Sequence, residues 1–148
     1  MVVGRWPPPT GPRHGAIRVL VVDDHPLAQA AVVDMVASTA GLALAGTAHD
    51  GREGIALAER VDPDVILMDV SMPGMSGIEA THRLIEADPG TRVLIFSAEA
   101  RRDVVLAARD AGAAGFVRKG CGESEVIRAI RAVMVGLPVW PLHLDLSF

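Results

Sequence analysis

From Ile17 to Val135 the chain repeats one alternation five times: a short apolar run rich in branched residues, then a longer stretch with apolar residues at helical spacing. Short runs bounded by helices read as buried strands, and a helix between successive strands makes each connection a crossover between parallel neighbours. The runs are Ile17 to Val22, Leu42 to Ala48, Val65 to Met68, Arg92 to Phe96 and Gly115 to Val117. The second is weaker, with small residues and Gly46, which suits a sheet edge.

Local signals place the helices. Pro26 fits a first helical turn and Gly41 the exit of a helix from about Pro26 to Ser38. Asp50 with Glu53, and Ser76 with Glu79, have the spacing of capping boxes. The helices they open run to about Arg60 and Ala87, stopped by Asp62-Pro63 and Asp88-Pro89-Gly90. A fourth helix spans Arg101 to about Ala111, closed by Gly112, and a fifth about Glu123 to Val135. Arg101 and Arg102 oppose the dipole at the start of the fourth, so that start should be the loosest among the five.

Five βα units without internal repeat predict an α/β fold. This is a doubly wound five-stranded parallel sheet, flavodoxin-like, of order 2-1-3-4-5, with helices on both faces. One domain, residues 17–135, accounts for nearly the whole chain. Half the residues are apolar but only 3% aromatic, so Val, Leu, Ile, Ala and Met must fill its core. Residues 1–16, dense in Pro and Gly, read as a disordered leader. Residues 136–148 read as a tail or truncated linker that packs loosely or frays.

A formal charge of -4 gives nucleic acid no general attraction, and a single cysteine excludes an internal disulfide. No stretch is long and apolar enough to span a bilayer, so a cytoplasmic setting is expected.

In open parallel sheets the reactive groups collect past the carboxyl ends of the strands, beside the switch in strand order. The first run is followed by Asp23 and Asp24, the third by Asp69, the fourth by Ser97, and the fifth by Arg118 and Lys119. Strands one and three are neighbours in the expected order, which brings three carboxylates within a few ångströms. Two like charges at ~4 Å repel by ~4 kcal/mol at an effective dielectric near 20, so a counter-ion is required. The oxygen ligands point to Mg2+, a hard ion that leaves room for a phosphate oxygen. His25 reads as an exposed helix-start residue and not as a ligand. A carboxylate beside such an ion can attack phosphorus, with a lysine neutralising charge. Asp69 ends the most apolar strand and is the acid best placed to do so, while Asp23 and Asp24 hold the metal.

An aspartate-nucleophile phosphohydrolase usually carries a second acid two residues on, where this chain has Ser71. A dinucleotide site needs a Gly-rich first turn, and this one reads DDHP. A third alternative is a phosphorylation-independent interaction module, which the intact set of acids, hydroxyl and lysine argues against.

The stretches VLVVDDHPLAQ, VILMDVSMPGMSGIEA, VLIFSAEA and GAAGFVRKG, in this order and spacing, resemble the receiver domains of two-component response regulators. The branch they most resemble precedes a LuxR-type helix-turn-helix domain. The resemblance implies phosphorylation of Asp69 by a sensor histidine kinase, with Mg2+ held by Asp23, Asp24, Asp69 and the Ser71 carbonyl. Lys119 would pair with the phosphate, Ser97 would supply the hydroxyl that moves to it, and Phe116 would be the aromatic whose burial reports that movement. It further implies a signalling domain and not an enzyme. A homodimer or effector would bind through the fourth helix, fifth strand and fifth helix, where Ala107, Ala108, Val126, Ile127 and Ile130 offer apolar surface, although their helical spacing equally fits ordinary core burial. The output expected is transcription, with no DNA binding by this chain alone, since no recognition helix follows the fifth unit. Two departures stand out: Gly120 follows Lys119 where many receivers have a proline, and Phe116 stands where many have Tyr.

Overall fold

The computed structural model describes residues 15–141. Residues 1–14 of the expected leader and 142–148 of the expected tail lie outside the described residues. The elements run β1 (Ile17–Val22), α1 (Pro26–Ser38), β2 (Leu42–Ala48), α2 (Gly51–Val61), β3 (Val65–Met68), α3 (Gly77–Ala87), β4 (Val93–Ser97), α4 (Arg102–Asp110), β5 (Gly115–Arg118) and α5 (Glu123–Met134). All strand pairs are parallel and the order is β2-β1-β3-β4-β5, so β2 is the edge strand that its small residues predicted. Its register against β1 slips by one residue at Ala45, where a bulge separates Leu44 from Gly46.

Side chains alternate between the faces of the sheet, as the period of a strand requires. Val19, Val21, Val65, Leu67 and Leu94 bury themselves under α1 and α5. Leu20, Val22, Ile66, Met68 and Ile95 do so under α2, α3 and α4. Each fully buried branched side chain stabilises the fold by about 1.5–3 kcal/mol before entropy is set against it.

Both expected capping residues bond as the sequence implied. The Asp50 carboxylate accepts the Glu53 N–H at 2.8 Å and the Ser76 hydroxyl accepts the Glu79 N–H at 3.2 Å. Asp50→Ala is therefore expected to destabilise the domain by about 1 kcal/mol, read as a lower midpoint in urea at unchanged slope.

The start of α4 differs from expectation. Arg101 is its N-cap, outside the first turn, and inside that turn the charge of Asp103 offsets that of Arg102. The N-caps of α1 and α5 equally lack a side-chain bond, so α4 is not singled out. Of the residues whose spacing fitted either an outer apolar face or the core, three are core: Ala108, Val126 and Ile130 are at most 4% exposed. Helical spacing alone marked a stripe, and the stripe faces the sheet. Ala107 and Ile127 are half-buried.

Candidate functional site

The ladder sets the level of the acids. Asp23 directly follows β1 and donates its N–H to the Ala48 carbonyl at 3.0 Å, while Asp69 directly follows β3 and donates to Val22 at 2.9 Å. Ser97 closes β4, and the Lys119 N–H just past β5 donates to the Ser97 carbonyl at 2.8 Å. Asp23, Asp69 and Ser97 are buried, at 2%, 4% and 2% exposure.

The Lys119 ammonium is the hub. Its Nζ lies 2.8 Å from Asp23 Oδ2 and 3.4 Å from Asp69 Oδ1, and 5.8 Å from the centre of the Phe96 ring. The counter-charge that three neighbouring carboxylates require is thus partly supplied by the chain itself.

His25 also reaches the cluster, which sequence reasoning missed. Its ring is exposed, as expected at a helix start, yet Nδ1 lies 3.0 Å from Asp23, 3.1 Å from Asp24 and 3.4 Å from Asp69. A local signal for part of this exists: the sequence puts His25 at the N-cap, and its own N–H donates to Asp23 Oδ1 at 2.9 Å. Gln29, one turn on, donates to the carbonyls of Asp23 at 3.1 Å and Ala48 at 3.0 Å, tying α1 to the ends of β1 and β2. No sequence pattern marks it.

The acids are not electrostatically equivalent. Burial raises the Asp23 carboxyl, but the bonds from Lys119 and from the backbone and ring of His25 outweigh burial and hold it below its ordinary range. For Asp69 burial wins: its carboxyl is pushed up, the Lys119 charge offsets only part, and Asp23 adds repulsion. His25 is raised, chiefly by its bond to Asp23 and by the charge of Asp24.

Ligand atoms of Asp23, Asp24, His25 and Asp69 all lie within 4.8 Å of one another. Two buried oxygens in this cluster, Asp24 Oδ1 and Asp69 Oδ2, accept no hydrogen bond. Unsatisfied carboxylate oxygens converging on one point fit a hard divalent cation. Ser71 sits exposed in the loop after Asp69, and the Ser97 hydroxyl accepts the Glu99 N–H at 3.2 Å. Phe116 is buried, at 2% exposure.

Gly77, at the start of α3, also belongs to the site. Its N–H donates to the Val70 carbonyl at 2.8 Å, and a Cβ there would overlap the Asp69 carbonyl oxygen.

The acid cluster and the lysine thus lie past the carboxyl ends of the strands, at the switch in strand order where open parallel sheets hold their ligands. Residues 19–131 match the model of the response regulator receiver domain. The chain is 42% identical over 120 residues to the response regulator GacA of Pseudomonas viridiflava, covering 81% of this chain and 56% of that protein. It is 33% identical over 118 residues to the nitrate/nitrite response regulator protein NarL of Escherichia coli K12, covering 80% and 55%. The chain thus spans about half the length of the curated relatives it matches.

Among solved structures, a LuxR-family two-component response regulator from Aurantimonas sp. SI85-9A1 superposes with a TM-score of 0.81 at 33% identity, covering 84% of this chain and 89% of that one. The receiver domain of the putative response regulator NarL from Mycobacterium tuberculosis gives 0.77 at 34% identity, covering 80% and 96%. The chain belongs to the response regulator receiver domains of two-component systems, in the LuxR-type branch. No helix among the described residues is long and apolar enough to cross a membrane.

Proposed function

We propose that this chain is a phosphorylation switch in which Asp69 accepts a phosphoryl group from a phosphohistidine of a sensor histidine kinase. The observation that carries the reading is Asp69 itself. It is 4% exposed, its Oδ1 is held 3.4 Å from Lys119, and its Oδ2 is left without a hydrogen bond in the cluster. Asp23, Asp24, Asp69 and the Ser71 carbonyl hold Mg2+ in this reading. The bound ion supplies neutralisation of charge on the transferring group.

In the step itself a carboxylate oxygen of Asp69 forms the new P–O bond as the P–N bond to the kinase imidazole breaks, and the departing imidazole keeps the electron pair. Burial that raises the Asp69 carboxyl also leaves its lone pair poorly solvated, which favours attack. Lys119 shifts from Asp23 toward the phosphoryl oxygens. Ser97 gives up the Glu99 N–H and turns its hydroxyl to the same group. Phe116 is already buried at rest, so the readout runs through what packs outside it. We place the switch in the cytoplasm, with transcription as its output and a second copy or an effector at the face formed by α4, β5 and α5. A net charge of -4 leaves DNA without attraction to these residues alone.

Intact-mass spectrometry with acetyl phosphate and Mg2+ tests the reading. One added phosphoryl group, mapped to Asp69 after borohydride trapping and lost when chelator replaces Mg2+, is the expected result. Rapid turnover without an adduct would favour a hydrolase, and no reaction at all would favour a phosphorylation-independent module.

A further inference from the structure

The segment after α5, expected to pack loosely, is seated on the sheet. α5 ends with the N–H groups of Val135 and Leu137 on the Ala132 carbonyl, at 3.1 and 2.9 Å, and the chain turns through Gly136 (φ 84). That turn lays the next residues along the outer edge of β5, the one strand edge on this side of the sheet. Val139 forms a parallel bridge with Gly115, and its carbonyl accepts the Phe116 N–H at 2.7 Å. Val139 packs against the core cluster under α5, and Trp140 against the cluster that contains Phe116.

We infer that residues 137–141 are a strap that occupies the β5 edge and bars a partner from it, and that phosphoryl uptake at Asp69 releases the strap. The release rests on the reading of Asp69 as phosphoacceptor; the seating does not. An unpaired strand edge is a template for an added strand, and here the chain fills its own. The fit requires Gly115, where a Cβ would lie 2.7 Å from the Val139 carbonyl oxygen and 3.2 Å from the Val139 Cβ.

The strap is built to let go. Leu137 is 59% exposed, and Val139 and Trp140 are only half-buried. Clefts flank Trp140 on both sides. One of about 730 Å³ is lined by Phe116, Arg118, Arg128 and Ala129. The other, of about 430 Å³, is lined by Arg109 and Ala113. Few buried contacts and incomplete packing mark an element that opens at low cost. The connection to the site is short. Lys119, three residues beyond Phe116, holds Asp23 and Asp69 and is tied through its N–H to Ser97. A pull on Lys119 and Ser97 therefore acts on the four-residue strand that carries the tether of the strap.

Trp140 reports the strap once Trp6→Phe makes it the only tryptophan. Without phosphodonor, adding Gly115→Ala is expected to shift Trp140 emission to the red and to speed Phe116 amide exchange about tenfold. Acetyl phosphate with Mg2+ is expected to do the same to the Gly115 protein, in proportion to the adduct measured by mass in the same sample. If Gly115→Ala fails to fold, Trp140→Ala is read by Phe116 exchange alone, with the same expectation. Unchanged emission and exchange in a folded variant overturn the seating. An adduct that leaves both signals at their resting values overturns the release while Asp69 stands as acceptor. Absence of the adduct overturns the acceptor reading and the release together.

Discussion

Gly77→Ala is expected to lower stability by about 3 kcal/mol, roughly 10 °C in melting temperature for a domain of this size, and to slow phosphoryl uptake at least about tenfold. The collision is with backbone. The added Cβ overlaps the Asp69 carbonyl oxygen and lies 2.8 Å from its carbonyl carbon and 3.0 Å from Val70 Cα. None of these atoms can swing away as the end of a side chain could. Either α3 retreats, breaking the 2.8 Å bond from Gly77 N–H to Val70, or the chain at Asp69 moves. The first loses part of the cluster that holds Ala80 and Leu84 against the sheet. The second displaces the acid from Lys119. Thermal melts and the rate of adduct formation read the two routes separately, and a variant with the melting temperature and rate of the parent would show that α3 does not position Asp69.

Gly77 also shows where a sequence stops being legible. The acids were visible because the first and third buried runs each end on one, and strand order then brings Asp23, Asp24 and Asp69 together without further information. Fold class, strand order and both capping boxes follow from patterns of period two, period 3.6 and fixed offset, all of them local. A glycine needed for approach between two backbones resembles any other glycine in a loop. The reach of His25 Nδ1 toward three carboxylates depends on how the β1–α1 loop turns, which no spacing encodes. The bridge from Gly115 to Val139 is a single pair, too short to have a period. Ala108, Val126 and Ile130 show the opposite limit: their spacing was legible, and the direction of the stripe they form was not, because spacing carries no sign.

Replacing the two buried acids of the site, Asp23 and Asp69, by their amides is expected to move stability in opposite directions in metal-free buffer. Asp23 accepts the Lys119 ammonium at 2.8 Å and the His25 N–H at 2.9 Å, and these hold its carboxyl low despite burial. A carboxyl whose folded value is depressed contributes stability above its unfolded value, near 3.9, and loses it as pH falls through the folded value. Asp23→Asn should therefore cost about 2 kcal/mol at pH 7, the loss of charge-assisted bonds in a buried setting, and less in acid. Asp69 is the reverse. Its folded value is raised by burial, so its favourable contribution exists below the unfolded value and disappears as pH rises through the folded one. At pH 7 the ionised form opposes folding. Asp69→Asn should then raise the melting temperature by about 3 °C, the shift that ~1 kcal/mol produces at this size, with the gain fading as pH falls toward the carboxylate range. The same substitution removes the only acid proposed to take a phosphoryl group, so the stabilised variant should form no adduct. Mg2+ should narrow the gap by stabilising the parent more than Asp69→Asn, since a ligand that binds only the folded state adds to its stability. Melts of the parent and both variants across pH, in chelator and in Mg2+, measure every sign at once. Equal destabilisation by both substitutions would mean that Lys119 serves the two acids alike, and the separation of Asp23 as anchor from Asp69 as acceptor would fail.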